Sequence, residues 1–422
     1  MVQAVAVFGA GVSGIAVASL AKKEGYKVDL FDERVKGCRS DFDEGQLDSY
    51  AHFIFSPGFS QSHPWRKWTE GRLNVYGELG FSAQRWRGKL IGVTGTNGKT
   101  SLTRFLKLCL SKRNPYVHAF GNIGTPLSEL VASDHNREDA IAICEISSFQ
   151  AELLNGLVLD ALLWTNFSED HLDRHGDIGT YFKAKFGLRS TLNEEGHFFV
   201  GAQNLLYKER DFWTEQRAII VSNDASLPSG LSEASVFSSY PQRWNFHLAH
   251  AFLKCYGVDE SDIVSAANEF ILDAHRLHVI YERAGLRIWD DSKSTNLNSV
   301  LGALEHLEEA VIWIGGGVSK KESIARYAKG ISHHKNVEQV VLYGEVGRAL
   351  EEECLNHSMN VLYKKDLGEA IRCALKFSES YKRVELLFSP GFASFDQFSS
   401  YQERGKYFTD YVFSLLKQNP SL

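Results

Sequence analysis

The sequence predicts an α/β protein of three domains, each built around a mostly parallel sheet. Its 422 residues suggest about three domains at roughly 150 residues each. Short apolar runs alternate with longer amphipathic stretches almost throughout, the pattern of repeated strand–helix units. Two glycine-rich segments, GAGVSG at 9–14 and GTNGKT at 95–100, each leave an apolar run and open an amphipathic one.

The first series of expected strands is AVAVFG (4–9), KVDLFD (27–32) and HFIFSPG (52–58). QRWRGK (84–89), rich in Trp, Arg and Gly, separates it from a second: KLIGVTG (89–95), AIAICEIS (140–147), ALLWTNFS (161–168), HFFVG (197–201) and AIIVSN (218–223). A third runs LRIWDDS (286–292), AVIWIGGG (310–317), EQVVLYG (338–344) and ELLFSPG (385–391). Between 270 and 284 the helical SDIVSAANEF gives way to ILDAHRLHVIYERAG, marking a second boundary. The expected domains are therefore 1–88, Rossmann-like; 89–275, P-loop ATPase-like; and 276–422, Rossmann-like again. Ligands of such sheets gather at the carboxyl ends of strands, where nearly every polar motif of this chain falls.

Composition narrows the class. The chain is 44% hydrophobic and 23% charged, as ordinary globular proteins are. A net charge of −6 argues against a general binder of nucleic acid or membrane surfaces. An anionic substrate must then be met by local lysines and arginines. Six scattered cysteines with no CxxC pair fit a reducing cytosol rather than a disulfide framework. The start, MVQAVAVFGAGVSG, lacks a positive leader, and no run approaches the ~18 apolar residues of a membrane span. A cytoplasmic location is expected.

GAGVSG has the G-x-G-x-x-G spacing directly after a strand, with Asp32 at the end of the next one. Small residues in the loop let backbone N–H groups and a helix start approach a diphosphate, which makes Gly11, Val12 and Ser13 the candidate positions. NAD, FAD and a UDP-sugar would all satisfy such a loop. Asp32, Glu33 and Arg34 are candidates to border the ligand, and Ser56-Pro57-Gly58 a second wall.

In GTNGKT the glycine expected five places before Gly98 is replaced by Val93, yet the strand–loop–helix context is that of a phosphate loop. Lys99 would neutralise β/γ-phosphate charge, and Thr100 would offer its oxygen to Mg²⁺. Glu145 ends the strand AIAIC, where nucleotide-hydrolysing folds often carry an acidic metal partner. SEDHLDRH (168–175) concentrates acids and histidines after another strand, and His171 is a candidate metal ligand or phosphate contact. The two lysines of YFKAKFGL (181–188) read by residue physics alone as solvated or snorkelling side chains.

GTNGKT, EISSFQ (145–150), TNFSEDHLDRH (165–175), YFKAK (181–185), AHR (274–276), DDSKSTN (290–296) and SPGFASFDQF (389–398), in this order, resemble the Mur ligase family. These cytoplasmic enzymes build the peptide stem of bacterial peptidoglycan, and SSFQ, DSKSTN and ASFDQF are similar to the D-glutamate-adding members. The resemblance implies a UDP-sugar domain, an ATP domain and an amino-acid domain in a monomer. It implies ATP, two Mg²⁺, UDP-N-acetylmuramoyl-L-alanine and D-glutamate as cofactors and partners. The precursor carboxylate would take the γ-phosphate of ATP, and the amine of D-glutamate would attack the acyl phosphate.

Residue by residue, the resemblance assigns Gly95, Thr96, Asn97, Gly98, Lys99, Thr100 and Ser101 to the ATP phosphates, with Asn122 beside them. Arg276 and Asp291 match nucleotide contacts. Thr100 and Glu145 match ligands of one Mg²⁺, His171 a ligand of the second, and Lys185 a lysine that becomes carbamylated. Asn245 falls on one asparagine of an adenine-side HNxxNA pattern that WNFHLA breaks, with Trp244 for histidine and Leu248 for the second asparagine. Lys293, Thr295, Lys320, Ser394, Phe395 and Tyr401 match the D-glutamate site, with Lys321 the alternative to Lys320. Another ATP-dependent amide ligase of the superfamily, such as a different Mur ligase or a folylpolyglutamate synthase, shares the ATP chemistry. A nicotinamide-dependent oxidoreductase would explain GAGVSG but leave GTNGKT, Glu145 and His171 without a task.

Overall fold

A computed structural model of the chain describes residues 2–418. Three sheets follow one another along the sequence. The first takes β1 (Ala4–Phe8), β2 (Lys27–Phe31), β3 (His52–Phe55) and β4 (Val75–Gly77) in the order β2-β1-β3-β4, all parallel. The second is built from β5 (Lys89–Thr94), β6 (Val117–Gly121), β7 (Ile141–Glu145), β8 (Leu159–Trp164), β9 (Leu192–Gly201) and β10 (Ala218–Val221). Its order is β10-β9-β8-β5-β7-β6, again all parallel.

The third comprises β11 (His278–Arg283), β12 (Leu286–Asp290), β13 (Val311–Gly316), β14 (Val337–Tyr343), β15 (Val361–Lys364) and β16 (Val384–Gly391), ordered β11-β12-β16-β13-β14-β15. Only β11 runs antiparallel to its neighbour, as the edge of an otherwise parallel sheet. The α/β class with parallel sheets holds throughout.

Helices cover the faces, so the central strands are buried on both sides and read as unbroken apolar runs. Phe8, Phe31, Phe42 and Phe53 fill the first core, Trp164, Phe182 and Trp213 the second, and Trp313, Tyr327 and Phe388 the third. Each such side chain, fully buried, contributes about 2 kcal/mol. The short strands β4, β6, β11 and β15 were not among the expected runs.

The described residues cluster into two compact units. One extends to Phe167 and includes Gly176–Ser238 and Gln242–Phe270; the other comprises Ser168–His175, Ser239–Pro241 and the chain from Ile271 on. The first two sheets share the first unit. They are joined through Glu78, whose buried carboxylate accepts from the Ser128 N–H (2.8 Å) and hydroxyl (2.6 Å). No helix among the described residues is long and apolar enough to cross a membrane.

Candidate functional site

In the first unit the polar motifs collect at the carboxyl ends of β5, β7 and β8. GTNGKT leaves β5 and turns into the helix Lys99–Ser111, with Gly98 at its N-cap. Gly98 has φ +83°, and a Cβ there would stand 2.5 Å from Asn245 Oδ1. Only glycine meets both conditions. The loop is braced from β8: the Thr96 N–H donates to Asn166 O (2.9 Å) and the Asn97 N–H to Asn166 Oδ1 (2.9 Å). The Thr165 hydroxyl donates to Asn97 O at 2.7 Å. Thr165 and Asn166 carry no role in the sequence reading, although TNF sits at a strand end beside the loop.

Lys99 folds its ammonium onto the loop, donating to Gly95 O (2.9 Å) and Thr96 O (2.7 Å). Arriving phosphate oxygens would compete for those donors. Glu145, at the end of β7, is 2% exposed. Its Oε1 accepts from Asn122 Nδ2 at 3.0 Å, while its buried Oε2 has no hydrogen-bond partner among the described residues. A buried carboxylate oxygen left unmatched is costly unless an ion or donor completes it. With the Thr100 hydroxyl on the adjacent helix start, the donor set is all oxygen, which suits Mg²⁺. Among the described residues no three His, Cys, Asp or Glu cluster as a self-sufficient metal cage. An ion held partly by substrate phosphates needs none.

Lys183 and Lys185, read alike from the sequence, separate in the structure. Lys183 is exposed, but Lys185 is only 1% exposed. The helix Ile178–Phe186 carries it inward, where Nζ donates to Gly95 O (2.8 Å) and lies 4.9 Å from the Tyr181 ring centroid. The solvated or snorkelling expectation for Lys185 is thereby corrected: two residues apart on a helix, the lysines point about 200° from one another, so only one can face the loop. Asn245 is buried, with Nδ2 donating to Gln242 Oε1 (2.9 Å). Trp244 is half-buried and Leu248 packs in the core. Ser101 is buried at the helix start.

The first glycine loop leaves β1 into the helix Val12–Lys23. A Cβ on Gly14 would lie 1.7 Å from Gly9 O, so this glycine is fixed by the close approach of loop and helix. Asp32 accepts from the N–H groups of Ala10 (2.8 Å), Arg34 (2.8 Å) and Val35 (3.1 Å). The Ala10 N–H foremost, and then the others against a desolvation penalty, hold its carboxyl below the usual range. Asp32 thus ties the glycine loop to the end of β2. Gly11, Val12, Glu33, Arg34 and Gly58 are exposed, with Ser13, Ser56 and Pro57 half-buried. Glu33 meets His63 at 3.3 Å.

In the second unit, loops after β12, β13 and β16 are stitched by backbone bonds. The Gly391 N–H donates to Ser294 O (3.1 Å), and Val318 and Ala393 exchange bonds of 2.9 and 3.1 Å. Lys293 Nζ donates to Tyr401 Oη (2.8 Å) and sits 4.0 Å over that ring. Lys320 Nζ reaches Asp170 Oδ1 (2.8 Å), Thr295 O (3.2 Å) and Thr295 Oγ1 (3.4 Å), whereas Lys321 is exposed. Ser394 is buried and Phe395 is 73% exposed. Lys293 with Tyr401, and Lys320 with Thr295, are the pairs brought together.

Asp170 is the residue here that the sequence reading passed over in favour of His171. Burial alone would raise its carboxyl, but Lys320 and then His171 bring it down to about 2. His171 has φ +55°, and its N–H donates to Asp170 Oδ1 at 2.8 Å.

Arg276 Nε lies 3.8 Å from Asp273 Oδ2. Asp291 accepts from the Leu277 N–H (3.0 Å) and the Ser389 hydroxyl (2.8 Å). Burial pushes its carboxyl up to about 7. The folded chain therefore holds a proton that the unfolded chain releases near 3.8. Stability from this group is full below about pH 4 and is lost as pH rises through about 7, with a slope of up to about 1.4 kcal/mol per pH unit. Asp291→Asn should remove that slope; urea unfolding of both proteins across the range measures it, and identical slopes would refute the assignment.

A glycine-rich phosphate loop at a helix start, with an orphaned acid at the neighbouring strand end, defines a nucleotide-binding protein of the phosphate-loop class. A family model of the Mur ligase middle domain matches residues 93–246. A ligase from Aquifex aeolicus is 30% identical over 421 residues, covering 96% of this chain and 97% of its own length. One from Gloeobacter violaceus is 30% identical over 450 residues, covering 98% and 99%. The chain belongs to the Mur ligase family. Both relatives are named UDP-N-acetylmuramoylalanine–D-glutamate ligase.

Among solved structures, the fold is similar to UDP-N-acetylmuramate-alanine ligase MurC of Thermotoga maritima, with TM-score 0.57 and 15% identity over 99% of both chains. It is similar also to the MurF ligase of the same organism in complex with ADP, with TM-score 0.58 and 17% identity over 93% of this chain and 95% of that one.

Proposed function

We propose that this protein is the ATP-dependent ligase that adds D-glutamate to UDP-N-acetylmuramoyl-L-alanine in peptidoglycan precursor synthesis. The observation that carries this is the match, over nearly the whole chain at 30% identity, to ligases of that name. The buried oxygen of Glu145 beside the phosphate loop supports the ATP site. The domains are 1–88 for the UDP-sugar, 89–275 for ATP and 276–422 for the amino acid. The protein works as a cytoplasmic monomer.

Gly11, Val12, Ser13, Glu33, Arg34 and Ser56–Gly58 bind the UDP portion, on a loop that Asp32 holds in shape. GTNGKT and Ser101 receive the ATP phosphates, with Asn122 close by, Asn245 on the adenine side, and Arg276 and Asp291 as nucleotide contacts. Thr100 and Glu145 would hold one Mg²⁺; His171 and, once carbamylated, Lys185 are the candidates for a second. These ions would offset the repulsion between a carboxylate and a polyanionic nucleotide.

Lys99 leaves its loop carbonyls for the β/γ-phosphates and neutralises charge in the transfer of the γ-phosphoryl group. The precursor carboxylate oxygen forms the new bond to phosphorus, ADP departs, and the amine of D-glutamate displaces phosphate from the acyl carbon. Lys293, Thr295, Lys320, Ser394, Phe395 and Tyr401 receive D-glutamate. Two lysines suit a dicarboxylate arriving at a protein of net charge −6.

The test is ADP release from ATP, Mg²⁺ and UDP-N-acetylmuramoyl-L-alanine, with D- and L-glutamate added separately. Release should depend on the D isomer by at least about a hundredfold. An equal response to both isomers, or none to either, would overturn the proposal.

A further inference from the structure

Arg404 is a buried charge to which neither the motifs nor the proposed chemistry gives a task. It lies on the helix Tyr401–Gln418 and is 0% exposed. Buried guanidinium groups are ordinarily met by carboxylates. Among the described residues no ion pair reaches this one. Its Nε–H donates to Ser292 Oγ (3.1 Å), one terminal nitrogen to Phe392 O (2.9 Å) and the other to Ser292 O (2.8 Å).

These acceptors share a location. Ser292 precedes Lys293, and Phe392 lies two residues before Ser394. The Ser292 hydroxyl also donates to Tyr401 O at 2.8 Å, and Lys293 Nζ reaches the Tyr401 hydroxyl. One planar fork thus fastens the β12 loop, the β16 loop and the start of the last helix. An ammonium on a flexible stem cannot hold acceptors in those separate directions at once. Its charge also acts on buried Tyr343 and on Asp396, favouring the ionised form of each against the burial that opposes it.

We propose that Arg404 is a positioning residue of the amino-acid site, fixing Lys293, Ser394 and Tyr401 in relation to one another through Ser292 and Phe392. Its consequence for catalysis rests on the D-glutamate assignment above; the clamp itself does not. Arg404→Lys and Arg404→Met are compared with the wild type in the full-length chain. The KM for D-glutamate should rise about tenfold in the lysine variant and about a hundredfold in the methionine variant. The KM values for ATP and for the UDP precursor should stay within about twofold.

Amide hydrogen exchange should accelerate at 291–296 and 392–396 by about tenfold or more, with the sheet beneath unchanged. Ser292→Ala keeps the buried arginine and should show the same selective KM rise at about threefold, so the proposal stands or falls even if the Arg404 variants do not fold. A uniform loss across all three substrates, or unchanged exchange at both loops, would overturn it. Absence of D-glutamate-dependent turnover in the wild type would instead sink the substrate assignment, and the exchange measurement would still decide the clamp.

Discussion

Lys99→Ala should lower D-glutamate-dependent ADP release by about 10³-fold or more while the chain stays folded. Its ammonium is the cation of the GTNGKT turn, donating to Gly95 O and Thr96 O. Phosphoryl transfer depends on positioning and charge neutralisation, so a lost cation at the transferring group costs far more in rate than in fold. The turn itself is set by Gly98 and by bonds from Thr165 and Asn166, which the substitution leaves in place. Stability should change by less than about 1 kcal/mol. Glu145→Ala should cause a loss of the same order by removing the buried oxygen proposed above as a Mg²⁺ ligand. Circular dichroism and the ADP assay on both variants decide the matter; near-normal turnover in either would remove the ATP-site assignment.

Lys185→Met should be nearly inactive, down about 10³-fold, with a melting temperature close to that of the wild type. Methionine keeps the apolar stem and much of the volume of this buried side chain, so packing around Tyr181 survives. What it removes is the amine. If that amine adds carbon dioxide, forming an N–C bond and releasing a proton, the side chain becomes an anion able to serve a metal ion. Exchange with carbon-13-labelled carbon dioxide should give a carbamate resonance in the wild type and none in the variant. Full activity of Lys185→Met would show that only the packing of this residue matters.

The chain determined a great deal by itself. Parallel strands buried on both faces announce themselves as apolar runs, so β1, β5, β7, β8, β13 and β16 could be read directly. The glycine turns could be read too, because backbone geometry and close approach at Gly14 and Gly98 leave no other residue type. Strands β4, β6, β11 and β15 could not. All four are sheet edges, β4 is only three residues long as well, and half-exposed edges need no continuous apolar run.

At the site, residue types and their order were legible, but partnership was not. The sequence could not show that Lys185 is buried while Lys183 is exposed, or that Asn122 completes only one oxygen of Glu145. Nor could it show that Asp170 meets Lys320, 150 residues away, or that Arg404 fastens Ser292, 112 residues away. Local periodicity and turn chemistry depend on neighbours in the chain. Burial and hydrogen-bond matching depend on which distant segments the tertiary fold brings together, and those decide what each charged group can do.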